Sequence, residues 1–258
     1  MDISACDAKE VLREDALEEY EKGIAFFHLE QLGPLHIRIY LIEKIVEFPS
    51  GLLASISGEF MFFRMTVASF WESSLLAINR LVNDTHSDFL TLMQFKNDVL
   101  HKFLKEEYKE PFQKRLKQAK FMDKYADILK RIKDLRHGRI AHLSRSVMDD
   151  PNFWRASGVS LPELKAICKA LEETMDALSF NTKRLMLPPE YSPDVQHPAG
   201  SNYQSDIEQL LDCVARKSSL LNMPEKQPEL WRRVRSDLSL DEISQLNRYR
   251  RKFGLPEA

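Results

Sequence analysis

The stretch FQKRLKQAKFMDKYADILKRIKDL, residues 112–135, decides the fold class. Its apolar side chains recur at steps of three, four or five residues, at Leu116, Phe121, Tyr125, Ile128, Ile132 and Leu135. Such spacing places them on one stripe of a helix, while the other faces carry many lysines. The stretch therefore predicts a long amphipathic helix that packs one side against a core, with Pro111 marking a boundary or its first turn.

The segments upstream of this stretch also have helical patterns. Helices are predicted over residues 9–32, 35–47, 51–82 and from Ser87 or Asp88 to 104, with stops at Gly33-Pro34 and at Pro49. The segment 51–82 is the most apolar of them. It predicts a central helix buried on most of its circumference, through Phe62, Met65, Phe70, Leu75, Ile78 and Leu81.

Downstream, helices are predicted over 161–185, 203–221, 228–234 and 239–253, with Pro162 tolerated in a first turn. The stretch LPPEYSPDVQHPAGSNY, residues 187–203, has four prolines and is typical of a linker. We therefore expect a helical bundle over 1–187, a proline-rich linker over 188–200 and a helical extension over 201–258. The predicted fold is all-α, an antiparallel up-and-down bundle with a small helical C-terminal appendage.

Composition excludes several classes of protein. The chain has 258 residues, of which 43% are hydrophobic and 29% charged, values typical of a globular protein. A net charge of -2 argues against a uniformly basic nucleic-acid binder. Cys6, Cys168 and Cys213 are too far apart in sequence for a disulfide framework or a thiolate metal site, so we expect a reducing cytoplasm. The sequence has no apolar run of membrane-spanning length and no signal core, so no membrane partner is expected.

The amphipathic stretch ends in LRHGRIAHLSR, residues 135–145, which contains Arg136, His137, Arg139 and His142. Histidine exchanges protons near neutral pH, and the planar guanidinium of arginine fits two phosphate oxygens. RNA carries its own nucleophile, the 2'-hydroxyl, so cleavage needs only proton transfer and stabilisation of charge on the phosphoryl oxygens. These side chains can supply both, and no metal or other cofactor is expected.

The spacing within this motif complicates the catalytic interpretation. Six residues separate Arg136 from His142, about 240° around a regular helix. Gly138 can end or bend the helix and re-aim both side chains. Because one histidine cannot be acid and base at once, the catalytic interpretation predicts a homodimer with two motifs at its seam. The structural alternative is that the cations simply complement the negative end of the helix dipole.

Other charged segments also allow two interpretations. Arg80 and Asp84 stand four residues apart and predict a helix-surface ion pair, unless Arg80 points into the same groove as Arg136. The basic residues of 114–139 form either a solvated face or a surface that attracts phosphate, and the same holds for NRYRRKFG, residues 247–254. The motifs GxxxxGK[ST], GxGxxG, GxSxG and HExxH do not occur, which disfavours the corresponding enzyme classes.

The run LRHGRIAHL resembles the signature of the HEPN superfamily, an arginine followed by four to six residues and a histidine. It is similar in particular to the abortive-infection (AbiU-type) branch, whose core is Arg-polar-basic-x-x-Ala-His; here the basic residue, Arg139, stands one place later. The stretch SFWESSLLAINRLVNDTHSDFLTLMQF, residues 69–95, is similar to the long helix of that branch. The resemblance covers roughly residues 10–185.

This resemblance implies an antiparallel helical bundle, usually dimeric, and a metal-independent ribonuclease of phage defence, toxin–antitoxin systems or RNA processing. By position, Arg136 would hold the scissile phosphate, His142 would act in proton transfer and His137 would assist. We add four predicted RNA contacts, namely Arg139, Arg80, Lys133 and Arg145. The expected partners are RNA, a second copy of the chain, and an antitoxin or other protein. The competing hypothesis is a non-catalytic helical module that binds RNA or a partner protein.

Overall fold

A computed structural model describes residues 3, 6–49, 52, 59–83, 90–119, 121–140, 153, 157–180 and 203–258, and the structural statements below refer to these residues. Their regular elements are all helical; within these ranges the only extended pairing is an isolated bridge between Leu12 and Leu104. The predicted all-α class is confirmed.

The helices have the following bounds: α1 Ala8–Val11, α2 Leu17–Ala25, α3 Gly33–Glu47, α4 Glu59–Val82, α5 Leu92–Asp98, α6 Glu106–Ala119, α7 Phe121–Leu135, α8 Leu161–Leu178, α9 Tyr203–Lys217, α10 Met223–Lys226, α11 Pro228–Asp237 and α12 Leu240–Lys252. Three segments are π-helical, at Phe26–Leu32, Val99–Phe103 and Arg136–Ile140. Two short 3₁₀ segments lie at Glu14–Ala16 and Ser219–Asn222.

The described residues form two compact units. The motif unit contains those within 1–39 and 71–195, and the C-terminal unit contains those within 40–70 and 196–258. The core of the C-terminal unit combines α9, α11 and α12 with upstream residues, among them Ile45, Phe48, Leu52 and Phe63. The grouping by contacts thus differs from the predicted division at 187–201, because the apolar faces of the C-terminal helices pack on residues from 45–63. The division into functional domains stays a prediction.

Within the motif unit, α8 runs antiparallel to α6 and α7. Arg131 of α7 pairs with Glu163 near the start of α8, and Arg115 of α6 donates to the carbonyl oxygens of Asp176 and Ser179 near its end. Along the chain α6 precedes α7, whereas along α8 the contact with α7 precedes the contact with α6. Helices α6 and α7 therefore follow α8 end to end in the opposite direction.

An aromatic cluster forms the other end of this unit. Tyr20 stacks with Phe95 and packs against Phe180, at centroid distances of 6.0 and 5.8 Å. The hydroxyl of Tyr20 donates to the carbonyl of Leu178 and accepts from the N–H of Phe180, both at 3.0 Å, so two buried backbone groups at the end of α8 are satisfied. The ring of Phe95 lies so close to Gly23 that no Cβ fits there.

The predicted helix stop at Gly33-Pro34 is wrong. The π segment Phe26–Leu32 leads directly into α3, and the N–H of Gly33 donates to the carbonyl of His28. Pro34 has no N–H to donate and normally clashes with the carbonyl four residues earlier. Here the change from π to α bonding falls at the residue before the proline, so the helix continues through the pair.

The burial predicted for α4 is correct only for its C-terminal half. Leu75, Ile78 and Leu81 are buried. Near the start of the helix Phe63 is 3% exposed, but Phe62 and Met65 are 61% and 60% exposed. The apolar pattern could not show that only one side of this half packs on the core of the C-terminal unit.

Several helix ends differ from the prediction because caps decide them. Helix α5 begins at Leu92 rather than near residue 88, because Thr91 forms a capping box with Gln94. Helix α6 begins five residues before Pro111, which lies inside it. Helix α8 begins at Leu161 as predicted, behind the capping box of Ser160, but it ends at Leu178 rather than at residue 185.

Candidate active site

The motif begins where α7 changes its backbone hydrogen bonding. Leu129, Ile132 and Leu135 are buried and anchor one face of the helix. The next five residues, Arg136–Ile140, are π-helical, with hydrogen bonds to the fifth residue instead of the fourth. Single π-helical turns are rare and frequently occur at functional sites. The segment that carries the start of the motif therefore departs from regular α-helical bonding at Arg136.

The structure describes part of the predicted site. Arg136 is the first residue of the π segment and is half-buried, His137 is exposed, and Gly138 is buried. The helix does not end at Gly138, as one form of the prediction required; the change in bonding comes earlier, at Arg136. The backbone of Arg139 lies in the π segment, while its side chain, together with His142 and Arg145, lies outside the described residues.

Three of the predicted side chains share one edge of the helix end. Lys133 stands three and four residues before Arg136 and His137, a spacing that places side chains next to each other on a helix. Lys130, which is exposed, extends this edge by one turn towards the start of α7. Asp134 follows Lys133 in sequence and lies beside the edge. We call Lys130, Lys133, Arg136 and His137 the motif edge; it carries three cationic side chains and one imidazole. No cluster suited to a metal ion occurs within the described part of the chain.

Arg131, the residue beside this edge, fixes α7 against α8. Its Nη2 lies 2.5 Å from Glu163 Oε1, its Nε donates to Asp127 at 3.2 Å, and its Nη1 donates to the carbonyl of Gly158. The hydrogen bond from Arg131, with those from Ser160, lowers the pKa of Glu163 to about 2. Arg136 of the motif edge therefore lies within two helical turns of Arg131, which is held firmly against α8.

A polar seam joins α4 to α7. Asn83, just after α4, donates from Nδ2 to the carbonyl of Leu129 at 3.4 Å and to Asn79 Oδ1 at 3.3 Å. Asn79 is fully buried, and its own Nδ2 has no hydrogen-bond partner among the described residues. Leu129 precedes Arg136 by two turns, about 10 Å of helix. The seam therefore connects the helix of Arg80 with the helix of the motif.

Arg80 is exposed on α4, and its predicted partner Asp84 lies outside the described residues. The charge of Arg80 acts instead on Arg38 of α3, whose pKa is lowered first by burial and then by Arg80. Sequence reasoning missed Arg38. The signal was available, since Arg38 is the only permanent cation in the apolar run GPLHIRIYLI, residues 33–42.

Within the described ranges, none of the helices combines the length and the apolar character needed to cross a membrane.

The helical unit, the motif edge and the long helix before it define a protein of the HEPN class. The family described as AbiU2 (HEPN_AbiU2) matches residues 26–202, more than two thirds of the chain, and the protein belongs to this family. The resemblance stated from the sequence is confirmed. At the level of the family, membership supports a HEPN-type nuclease or abortive-infection role. Searches of the curated proteins and of the solved structures found no match to this chain.

Proposed function

We propose that this protein is a metal-independent endoribonuclease of the phage-defence or toxin type. The observation that carries the proposal is the motif edge, where Lys133, Arg136 and His137 lie together at a π-helical helix end in a member of the HEPN family. Cations beside a titratable imidazole suit a polyanionic substrate that reacts by proton transfer.

In this proposal Arg136 binds the non-bridging oxygens of the scissile phosphate and stabilises the charge that develops on them. The 2'-oxygen attacks phosphorus, and the bond to the 5'-oxygen of the next nucleotide breaks. His142 takes the 2'-hydroxyl proton or delivers a proton to the leaving 5'-oxygen, while His137 assists. The products are a 2',3'-cyclic phosphate and a 5'-hydroxyl, and no water or metal takes part in this step.

A homodimer is part of the proposal, because one histidine cannot be acid and base in the same turnover and a second motif supplies the other group. Four further cations are proposed to hold the RNA strand, namely Lys133, Arg139, Arg145 and Arg80. The exposure of Lys133 and Arg80 supports this role for these two residues. A cytoplasmic location fits both the RNA substrate and the free thiols of Cys168 and Cys213.

The test is cleavage of single-stranded RNA in EDTA. We expect cyclic phosphate ends, and we expect Arg136→Ala or His142→Ala to lower kcat by roughly 100- to 10,000-fold. His101→Ala and Arg235→Ala are matched controls at exposed positions that are not part of the motif and should cleave normally. Circular dichroism checks that each variant is folded. Undiminished cleavage by both motif variants would reject these roles.

The second candidate is a non-catalytic module that binds RNA or a partner protein such as an antitoxin. The placement of Arg136 and His137 at the C-terminal end of α7 favours it, because cations are stabilising at that end of a helix whatever the function. Salt-sensitive RNA binding without turnover by the wild-type dimer would support this candidate over the nuclease.

A further inference from the structure

We propose that Arg38 and Arg80 together form a second phosphate-binding site, which holds a non-scissile phosphate of the same RNA strand. The proposal rests on the proposed function for the identity of its ligand, RNA. Its two arginines lie outside the motif, on the parts of α3 and α4 that belong to the motif unit.

Arg38 and Arg80 lie at the same face of α4. Nη1 of Arg38 lies 3.5 Å from the carbonyl oxygen of Ser73 on α4. Arg80 follows Ser73 by seven residues, which is close to two full turns, so both lie on the same face of α4. The guanidinium of Arg38 therefore reaches the face of α4 that carries Arg80. Arg38 is half-buried and Arg80 is exposed, so the pair is open on one side.

The positive charges of Arg38 and Arg80 lack an acidic partner among the described residues. Within the described residues neither arginine pairs with a carboxylate, and each faces the like charge of the other. Burial and the charge of Arg80 both lower the pKa of Arg38. Arg13 and Arg131 of the same unit, in contrast, are paired with acidic side chains. Two guanidinium groups close together disfavour each other, and a phosphodiester, whose single negative charge is shared by two non-bridging oxygens, offsets that repulsion.

The polar seam between α4 and α7 connects the proposed site with the motif. Asn83 lies one turn beyond Arg80 and is bonded to the carbonyl of Leu129, two turns before Arg136. Asn79, fully buried beside Asn83, adds to the polar contact. The seam keeps a phosphate at Arg80 and a phosphate at Arg136 at a constant separation. Two sites at constant separation select substrates long enough to reach both.

The experiment measures binding of a non-cleavable 2'-O-methyl RNA strand by fluorescence anisotropy over a range of salt concentrations. The variants are Arg38→Gln, Arg80→Gln and the double variant, with Arg235→Gln as the matched control on an exposed face of α11. Loss of one phosphate contact should reduce the slope of log affinity against log salt by about 0.7. Because both arginines hold the same phosphate, the double variant should lose no more slope than a single variant.

Substrate length gives a second readout. The loss of kcat/KM in the Arg38 and Arg80 variants should be smaller on a cleavable dinucleotide, which is too short to reach both sites, than on longer strands. With longer strands their KM should rise while kcat stays unchanged, since the site binds the strand without touching the reacting atoms.

Three results would overturn the proposal: slopes equal to that of the Arg235→Gln control, losses that add up in the double variant, or an equal effect on the dinucleotide. The failure of the nuclease hypothesis is distinguishable, because the salt slope is measured without turnover. The protein could fail to cleave RNA while the Arg38 and Arg80 variants and their double variant show the same loss in the slope of log affinity against log salt. That result would support the phosphate site and reject only the nuclease hypothesis.

Discussion

Each of the two units contains an arginine that is at least half-buried, and the two arginines have opposite surroundings. Arg250 of the C-terminal unit is fully buried and donates to Glu225 and to the carbonyls of Leu221 and Pro256, the last at 2.6 Å. Arg38 of the motif unit is half-buried. Within the described residues its guanidinium donates only to the carbonyl of Ser73, at 3.5 Å, and it faces the like charge of Arg80.

The difference teaches which buried charge is structural and which is available to a ligand. The charge and donors of Arg250 are matched by the protein itself, so it is expected to hold α12 to the loop before α10 and to do little else. The charge of Arg38 is matched by nothing described around it. Arg131, at the junction of α7 and α8, is intermediate, because it is paired but partly exposed. The following predictions rank these sites by their effect on stability.

The largest effect is expected at Arg250. Arg250→Ala leaves the carbonyl of Leu221 without its donor and opens a cavity in the C-terminal unit, so we expect the free energy of unfolding to fall by about 3 kcal/mol. Urea unfolding followed by circular dichroism measures it. Arg251→Ala, at the exposed neighbouring position, is the control and should change little. A loss at Arg250 no greater than at Arg251 would contradict a structural role.

A smaller effect is expected at Arg131. Arg131→Ala removes the ion pair with Glu163 and the hydrogen bond to Gly158, and we expect a loss of about 1–2 kcal/mol because the pair is only partly shielded from water. Lys130→Ala, at the exposed adjacent residue, should stay close to wild type. Equal stabilities of the two variants in urea would show that this contact does not hold α7 to α8.

Acid should weaken the same junction. The pKa of Glu163 is about 2, below its ordinary value of 4.5, mainly because of Arg131. A lowered carboxylate pKa contributes stability above the ordinary value, and that contribution is lost as pH falls from about 4.5 towards 2. Glu163→Gln should therefore show a smaller drop in stability across this range. The check is urea unfolding at several pH values; parallel pH curves for both proteins would contradict the assignment.

The smallest effect on stability is expected at Arg38. Arg38→Gln removes a charge that faces a like charge, so the free energy of unfolding should stay within about 0.5 kcal/mol of wild type or rise slightly. The same variant should nevertheless weaken RNA binding. Thermal unfolding with and without RNA measures both. A clear destabilisation without RNA would make Arg38 a structural residue like Arg250 and would remove the contrast between the two sites.

Local signals in the sequence predicted some features well. The start of α8 was predicted at Leu161, and the structure has Ser160 capping it; α12 likewise begins behind Ser239. These ends depend on neighbours within four residues, so the information lies in the segment itself. The motif was found for the same reason, and the family match supports its class, although the roles of all its residues stay predictions.

Features that depend on distant neighbours were missed. Gly33-Pro34 stops a helix by local rules, yet here the preceding π segment and the packing around it let the chain continue. Phe62 and Met65 have the spacing of a core stripe but are exposed. The contact between Arg38 and α4 joins residues 35 positions apart, and no periodicity within either helix indicates it.

The amino-acid sequence by itself determined the helical class, many of the helix starts and the position of the motif, because helix periodicity, capping and a short signature all operate within a few residues. Only the tertiary structure decided which faces are buried, how α9, α11 and α12 share a core with residues 45–63, and that Arg38 stands beside Arg80. The physical reason is that burial and charge pairing depend on which segments meet, and those meetings are settled by packing of the whole chain.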